Sequence, residues 1–523
     1  MRSITTKMFS IAGMLVILCI ACGFDGCKNP VKIKGAVITA TNDTTAQFTR
    51  HTVTGITTPL PVAPDVPGYL GAAFITVGDL DNDSIKEIIC TSGVGQDKSA
   101  TTSDGDVAVF TWDGKNIDSW QQNIINDTFS FPNETVIKDI NHDGHKDIVV
   151  MDNFLFGGNP AGIYWLQNKG GDIKSPDNWV KRTILKGDKT TALGRSSYHR
   201  AVFIDLDGDG REDFITAKVC PDNYFQNNGE RYSWIEWFKN VDDNGTFSGP
   251  YDIADAGGFF FTLTDINRDG KIDIVVPQFF NTKPSTCEIF GSEEVPDPRG
   301  DSLLWLENPG NITTSTPAWK YHTIDYWYTS KNKLGKADDV VLADMDNDGY
   351  QELVLGTHNH QGYISDKRLW PAGVYTLDIP LINPGSTGKW QPITIDSGDP
   401  DLDPADAAAV AADPYAVDRP GGPGSQGSPG MVKAGDINGD GYPDLVVPGD
   451  GKGAIYYYES SPMKSGKLQY KRAELYVDKA CMPAEPEIVD IDGDGKMDIV
   501  AAVYDTSVNK NSMSGSIFIF KQN

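Results

Sequence analysis

Seven segments of this chain place oxygen-bearing side chains at one repeated spacing. Position 1 is always Asp, position 3 Asp or Asn, position 5 Asp, and position 9 Asp or Glu. The first copy is Asp79, Asp81, Asp83 and Glu87, and the second is Asp139, Asn141, Asp143 and Asp147. Asp205, Asp207, Asp209 and Asp213 form the third, and Asp265, Asn267, Asp269 and Asp273 the fourth. The fifth is Asp344, Asp346, Asp348 and Glu352, followed by Asp436, Asn438, Asp440 and Asp444. Asp490, Asp492, Asp494 and Asp498 complete the set. Hard oxygen donors packed this closely suit Ca2+, which takes six to eight oxygens. Position 6 is Gly in six copies, where the chain must turn sharply, and position 7 varies because its backbone carbonyl can serve. Up to seven ions are expected. The first loop departs most, with Ser84 for Gly and Glu87 for Asp, and is expected to bind weakest.

The elements that must hold these loops are strands. An EF-hand closes with Glu at position 12 between two helices. Here short β-rich runs such as Ile148-Val149-Val150 and Ile274-Val275-Val276 follow the loop instead. A third, aromatic-rich run comes next, as in 162–166, 234–238, 303–306 and 454–458, and then a fourth, as in 179–184 and 319–324. Four short strands recurring about every 70 residues predict an all-β, seven-bladed β-propeller with four-stranded blades. The last repeat stops at its third strand, 516–520. Phe48–Val53 matches Trp319–Ile324 position for position, so the N-terminal strand is expected to complete the last blade and close the ring.

These aspartate repeats resemble the FG-GAP/VCBS family, which occurs in integrin α-chain propellers and many exported microbial proteins. The resemblance spans roughly residues 46–523 and implies a calcium-binding propeller. It does not fix a biological role, since the family hosts lectin-like, adhesive and lyase activities. The eight-bladed, calcium-rich rhamnogalacturonan lyases are similar in loop chemistry, but seven repeats are present here.

Strand polarity puts the acidic loops on one face and the 2–3 and 4–1 connections on the other. The long segments 92–105, 185–198, 219–232, 281–301, 325–337 and 397–430 mostly belong to that second face, where function is expected. Its candidate ligand residues are Tyr198, His199, Arg200, Gln278, His358 and His360, a mix suited to a glycan. A protein ligand is the other expectation. The alternative function is a polysaccharide lyase that abstracts a proton beside a uronate carboxylate, with Tyr198, His199, Arg200, His358 and His360 as its parts. No nucleophile elbow, phosphate-cradling glycine loop or HExxH occurs.

Net charge is −27, and positions 1, 3, 5 and 9 of the seven loops hold 25 of the 72 acidic residues, so much of the acidity is theirs. An acidic chain repels nucleic acid and anionic membranes. Arg2, Lys7 and the apolar run 8–20 read as an export signal, too short to span a bilayer. Residues 18–22 resemble a lipoprotein box, leaving lipid attachment at Cys22 or simple cleavage open. The expected layout is a signal at 1–22, a linker at 23–45 and the propeller at 46–523. The expected product is a monomer, secreted or held at the cell surface.

Overall fold

The computed structural model describes residues 36–40, 47–53, 74–92, 105–130, 132–153, 162–187, 196–220, 233–279, 301–326, 336–358, 363–364, 367–368, 373–397, 430–449, 453–464, 468–477, 481–505 and 516–523. Among these residues regular structure is almost wholly strand, with short 3-10 turns such as Pro176–Asn178 and no α-helix. Among the described residues no helix is long and apolar enough to cross a membrane.

The strands form seven antiparallel blades. Blade one runs Ile75–Gly78, Glu87–Ser92, Gly105–Thr111 and Gln121–Phe129. Blades two to six repeat this order, from Pro132–Lys138, Ser197–Ile204, Thr262–Thr264, Lys336–Ala343 and Lys433–Gly435 respectively. In blade seven, Cys481–Pro483 and Glu487–Val489 pair with Asp498–Asp505, which pairs with Ser516–Gln522. Phe48–Val53 then adds antiparallel to Ser516–Gln522, with Phe48 opposite Gln522 and Val53 opposite Ile517. The ring is thus closed by the N-terminal strand. Ala36–Ala40, inside the segment expected as a linker, adds a fifth strand to blade six, parallel to Leu468–Val477.

The second strand of each blade is sandwiched between neighbouring blades, which is why it is apolar on both faces. Ile148, Val149, Ile274, Val275, Ile499 and Val500 are fully buried. Each core cluster joins two blades. Leu80, Ile89 and Val109 of blade one meet Ile148, Val150 and Leu166 of blade two. Val53, Val500 and Ile517 of blade seven meet Ile75, Ile88 and Phe110 of blade one, which seals the ring by packing as well as by pairing. Phe48 sets its ring edge-on against Tyr457 of blade six at 5.1 Å.

Candidate metal loops and the axial charge cluster

Each acidic loop joins the first strand of its blade to the second. Its backbone donates to its own carboxylates. The position-6 N–H reaches the position-1 Oδ2 in all seven loops, at 2.8 to 3.1 Å. The position-7 N–H reaches the position-5 Oδ1 in all seven, at 2.7 to 3.0 Å. This fold requires positive φ at position 6. The six glycines lie between 83° and 90°, and Ser84 is forced to 73°.

Position 9, expected to close a metal's shell, has a structural role in this fold. Its carboxylate is buried in every loop, between 0% and 4% exposed. One oxygen accepts the N–H of position 2, as in Ile140 to Asp147 at 2.9 Å and Ile266 to Asp273 at 3.1 Å. In the Asp copies the other accepts an N–H at the end of the third strand, as in Asn240 to Asp213 at 2.8 Å. Burial pushes Glu87 and Glu352 up to about 8, Asp147 and Asp444 to about 7, and Asp213, Asp273 and Asp498 to about 6. The position-2 side chains Leu80, Ile140, Leu206, Ile266, Met345, Ile437 and Ile491 are buried and root the loop in the core. These anchors were missed in the motif reading, although a large apolar residue between the first two acids is plain in every copy.

Four loops bring three carboxylates within 4.8 Å of one another: Asp79, Asp81 and Glu87; Asp205, Asp207 and Asp213; Asp344, Asp346 and Asp348; Asp490, Asp492 and Asp498. These groups can hold a metal ion. In the fifth, Asp346 Oδ1 is buried and accepts no hydrogen bond, and burial beside Asp348 and Asp344 pushes its carboxyl up to about 6. A buried carboxylate oxygen without a donor is the environment a cation relieves. The donor set therefore fits a hard cation.

The ligand candidates are placed differently from the expectation. Tyr198 is 3% exposed, Gln278 1% and His199 0%. The His199 ring lies against Phe259 at 4.1 Å, and burial holds its pKa well below the usual value. Tyr198 donates to Glu236 Oε2 at 3.3 Å, and Glu236 Oε1 also accepts from Lys218 at 2.7 Å. Gln278 accepts the Gly257 N–H at 3.3 Å. Arg200 occupies a bulge in its strand, at φ 46°, and points onto the propeller axis. Tyr198, His199 and Arg200 lie on Ser197–Ile204, the first strand of blade three, and Gln278 follows Asp273–Pro277, the second strand of blade four; all four are taken up by contacts inside the protein. His358 ends the strand Glu352–His358, its side chain outside the described residues, and His360 lies outside them altogether.

On the axis, Arg200 is shared by acids from three other blades. Its guanidinium lies 2.8 Å from Glu485, 3.4 Å from Glu134 and 3.6 Å from Asp339, and stacks over Phe260 at 4.7 Å. Lys433 adds a second cation, 2.7 Å from Glu485. Burial works against the Glu485 charge, but Lys433 and Arg200 outweigh it and hold its carboxyl at about 2. Burial raises Glu134 to about 7 despite Arg200. A cavity of about 760 Å³ extends from this cluster to Asp79 and Asp139 at the loop face. Glu134, Asp339, Lys433 and Glu485 belong to no motif; their only signal is charge at the start of an inner strand.

The FG-GAP-like repeat family matches residues 205–276 and 436–501. No curated protein matches the chain. The fold is similar to BBS1N solved in complex with ARL6DN, at 9% identity over 88% of this chain and 95% of that one, TM-score 0.43. It is similar to Penicillium chrysogenum alpha-L-arabinanase complexed with arabinobiose, at 9% identity over 90% and 98%, TM-score 0.41. Bacillus licheniformis rhamnogalacturonan lyase PL11 is similar at 13% identity over 90% and 75%, TM-score 0.38. With blades and acidic loops in register, the chain is a seven-bladed propeller carrying FG-GAP-like repeats.

Proposed function

We propose that the chain is an exported, calcium-braced propeller that recognises a glycan or a surface protein on the face opposite its acidic loops. The observation that carries the calcium reading is Asp346, a half-buried loop carboxylate beside Asp344 and Asp348 whose Oδ1 is buried and unpartnered. Calcium bound there would supply charge compensation and cross-linking; the chain supplies preformed loops whose N–H groups already orient the carboxylates. The recognition reading draws support from topology. The second strand of a blade leaves the loop face, so the strand ends at Ser92 and Gly105, Val219 and Ser233, and Pro277 and Asp301 lie at the opposite edge. Long connections on a rigid scaffold are where ligand contacts concentrate. Uronate cleavage gains no support, because Arg200 is shared by three carboxylates and His199 is enclosed by aromatic rings. A glycan array probed with the full mature chain, in calcium and again in EGTA, tests the reading. Binding in calcium that fades in EGTA is expected; an array left blank in calcium contradicts glycan recognition.

A further inference from the structure

In every blade one residue of the third strand stands beside the acidic loop in the sheet register. This residue pairs across the sheet with position 9. Counting from the observed registers, it is Thr111 in blade one, Gln167 in blade two and Lys239 in blade three. It is Glu307 in blade four, Asp378 in blade five, Glu459 in blade six and Lys521 in blade seven. Blades three and seven alone carry a cation there.

The two lysines do the same thing. Lys239 Nζ lies 2.7 Å from Asp209 Oδ2 and also bonds Asp207 Oδ2. Lys521 Nζ lies 2.7 Å from Asp494 Oδ2 and also bonds Asp492 Oδ2. Each ammonium thus bridges positions 3 and 5, the carboxylates a metal ion would share. Lys271 also reaches a loop acid, Asp269 at 2.9 Å, but it is that loop's own position 7 and touches position 5 only. Loops one and five likewise hold four carboxylates, yet face Thr111 and Asp378.

We propose that Lys239 and Lys521 are tethered counter-cations that compete with calcium for loops three and seven. The inference rests on the calcium reading above. Calcium must break two charge-assisted hydrogen bonds and remain close to the displaced ammonium, so these loops bind more weakly than the other five. They also stand formed without metal, because each carries its own positive charge. The ranking drawn from the motif changes accordingly: Ser84 and Glu87 keep the common loop geometry in blade one, and the weak sites move to blades three and seven.

Elemental analysis of the full chain, equilibrated at a series of fixed free-calcium concentrations, tests this. The wild type should fill five sites first and two later. Lys239→Met with Lys521→Met should merge the two classes, raising affinity at the late sites at least about tenfold. The double variant should also melt below wild type in EGTA and not below it in saturating calcium. Gln167→Lys supplies the reverse test, moving one ion from the early class to the late class, and it stands even if the methionine variants fold poorly. Seven equivalent ions in wild type, unchanged by either set of variants, would overturn the inference while leaving calcium binding intact. A wild type with no bound calcium at any concentration would overturn both.

Discussion

At the scale of single residues, the loops work because backbone and side chain satisfy each other before any ion arrives. Ser84 tests this. It holds φ at 73° where the other six loops use glycine, and that region costs a side-chain-bearing residue about 1 kcal/mol or more. Ser84→Gly should therefore stabilise the protein by about 0.5 kcal/mol in urea unfolding, the relief of the strained φ exceeding glycine's unfolded-state entropy, and a destabilised variant would contradict this. His199 makes the opposite case. Strand polarity made it a ligand candidate on the face opposite the acidic loops, but its ring is buried against Phe259. His199→Ala should cost about 3 kcal/mol, the scale of a buried ring truncation. A variant with an unchanged melt and lost ligand binding would return His199 to the ligand site. The spacing of polar residues revealed the loops, but not burial, which depends on which way a first strand faces.

At the scale of elements, the strand Phe48–Val53 has a role out of proportion to its length. Phe48 packs on Tyr457 of blade six, and Val53 lies in the cluster between blades seven and one. One strand therefore joins the two ends of the chain and both neighbouring blades. Phe48→Ala should cost about 3 kcal/mol and expose blade seven to proteolysis. Cleavage starting elsewhere, with blade seven intact, would contradict that role. The match between Phe48–Val53 and Trp319–Ile324 made this closure legible in sequence, because outer strands of one repeat share a pattern wherever they sit in the chain. The added strand Ala36–Ala40 was not legible: parallel pairing at an edge asks little of side-chain pattern.

At the scale of the whole molecule, charge is organised twice, in the loops around one face and in the cluster on the axis. Glu134, Arg200, Asp339, Lys433 and Glu485 come from five blades, so no local motif could announce them. Their titration has a defined sign. Glu134 is raised from 4.5 to about 7, so its contribution is fully present below about 4.5 and is lost as pH rises through about 7. Glu134→Gln should flatten the fall in melting temperature between pH 5 and pH 8, and parallel profiles for variant and wild type would contradict this. The proposed calcium sites carry the larger claim, since one acidic loop lies in every blade. Ions bound only by the folded chain add stability in proportion to the logarithm of their free concentration, about 1.4 kcal/mol per filled site for each tenfold step. The melting temperature of the full chain across free calcium is therefore the most direct measurement. A curve that climbs steadily from the EGTA baseline is the predicted result; a flat curve over the whole range would contradict the account.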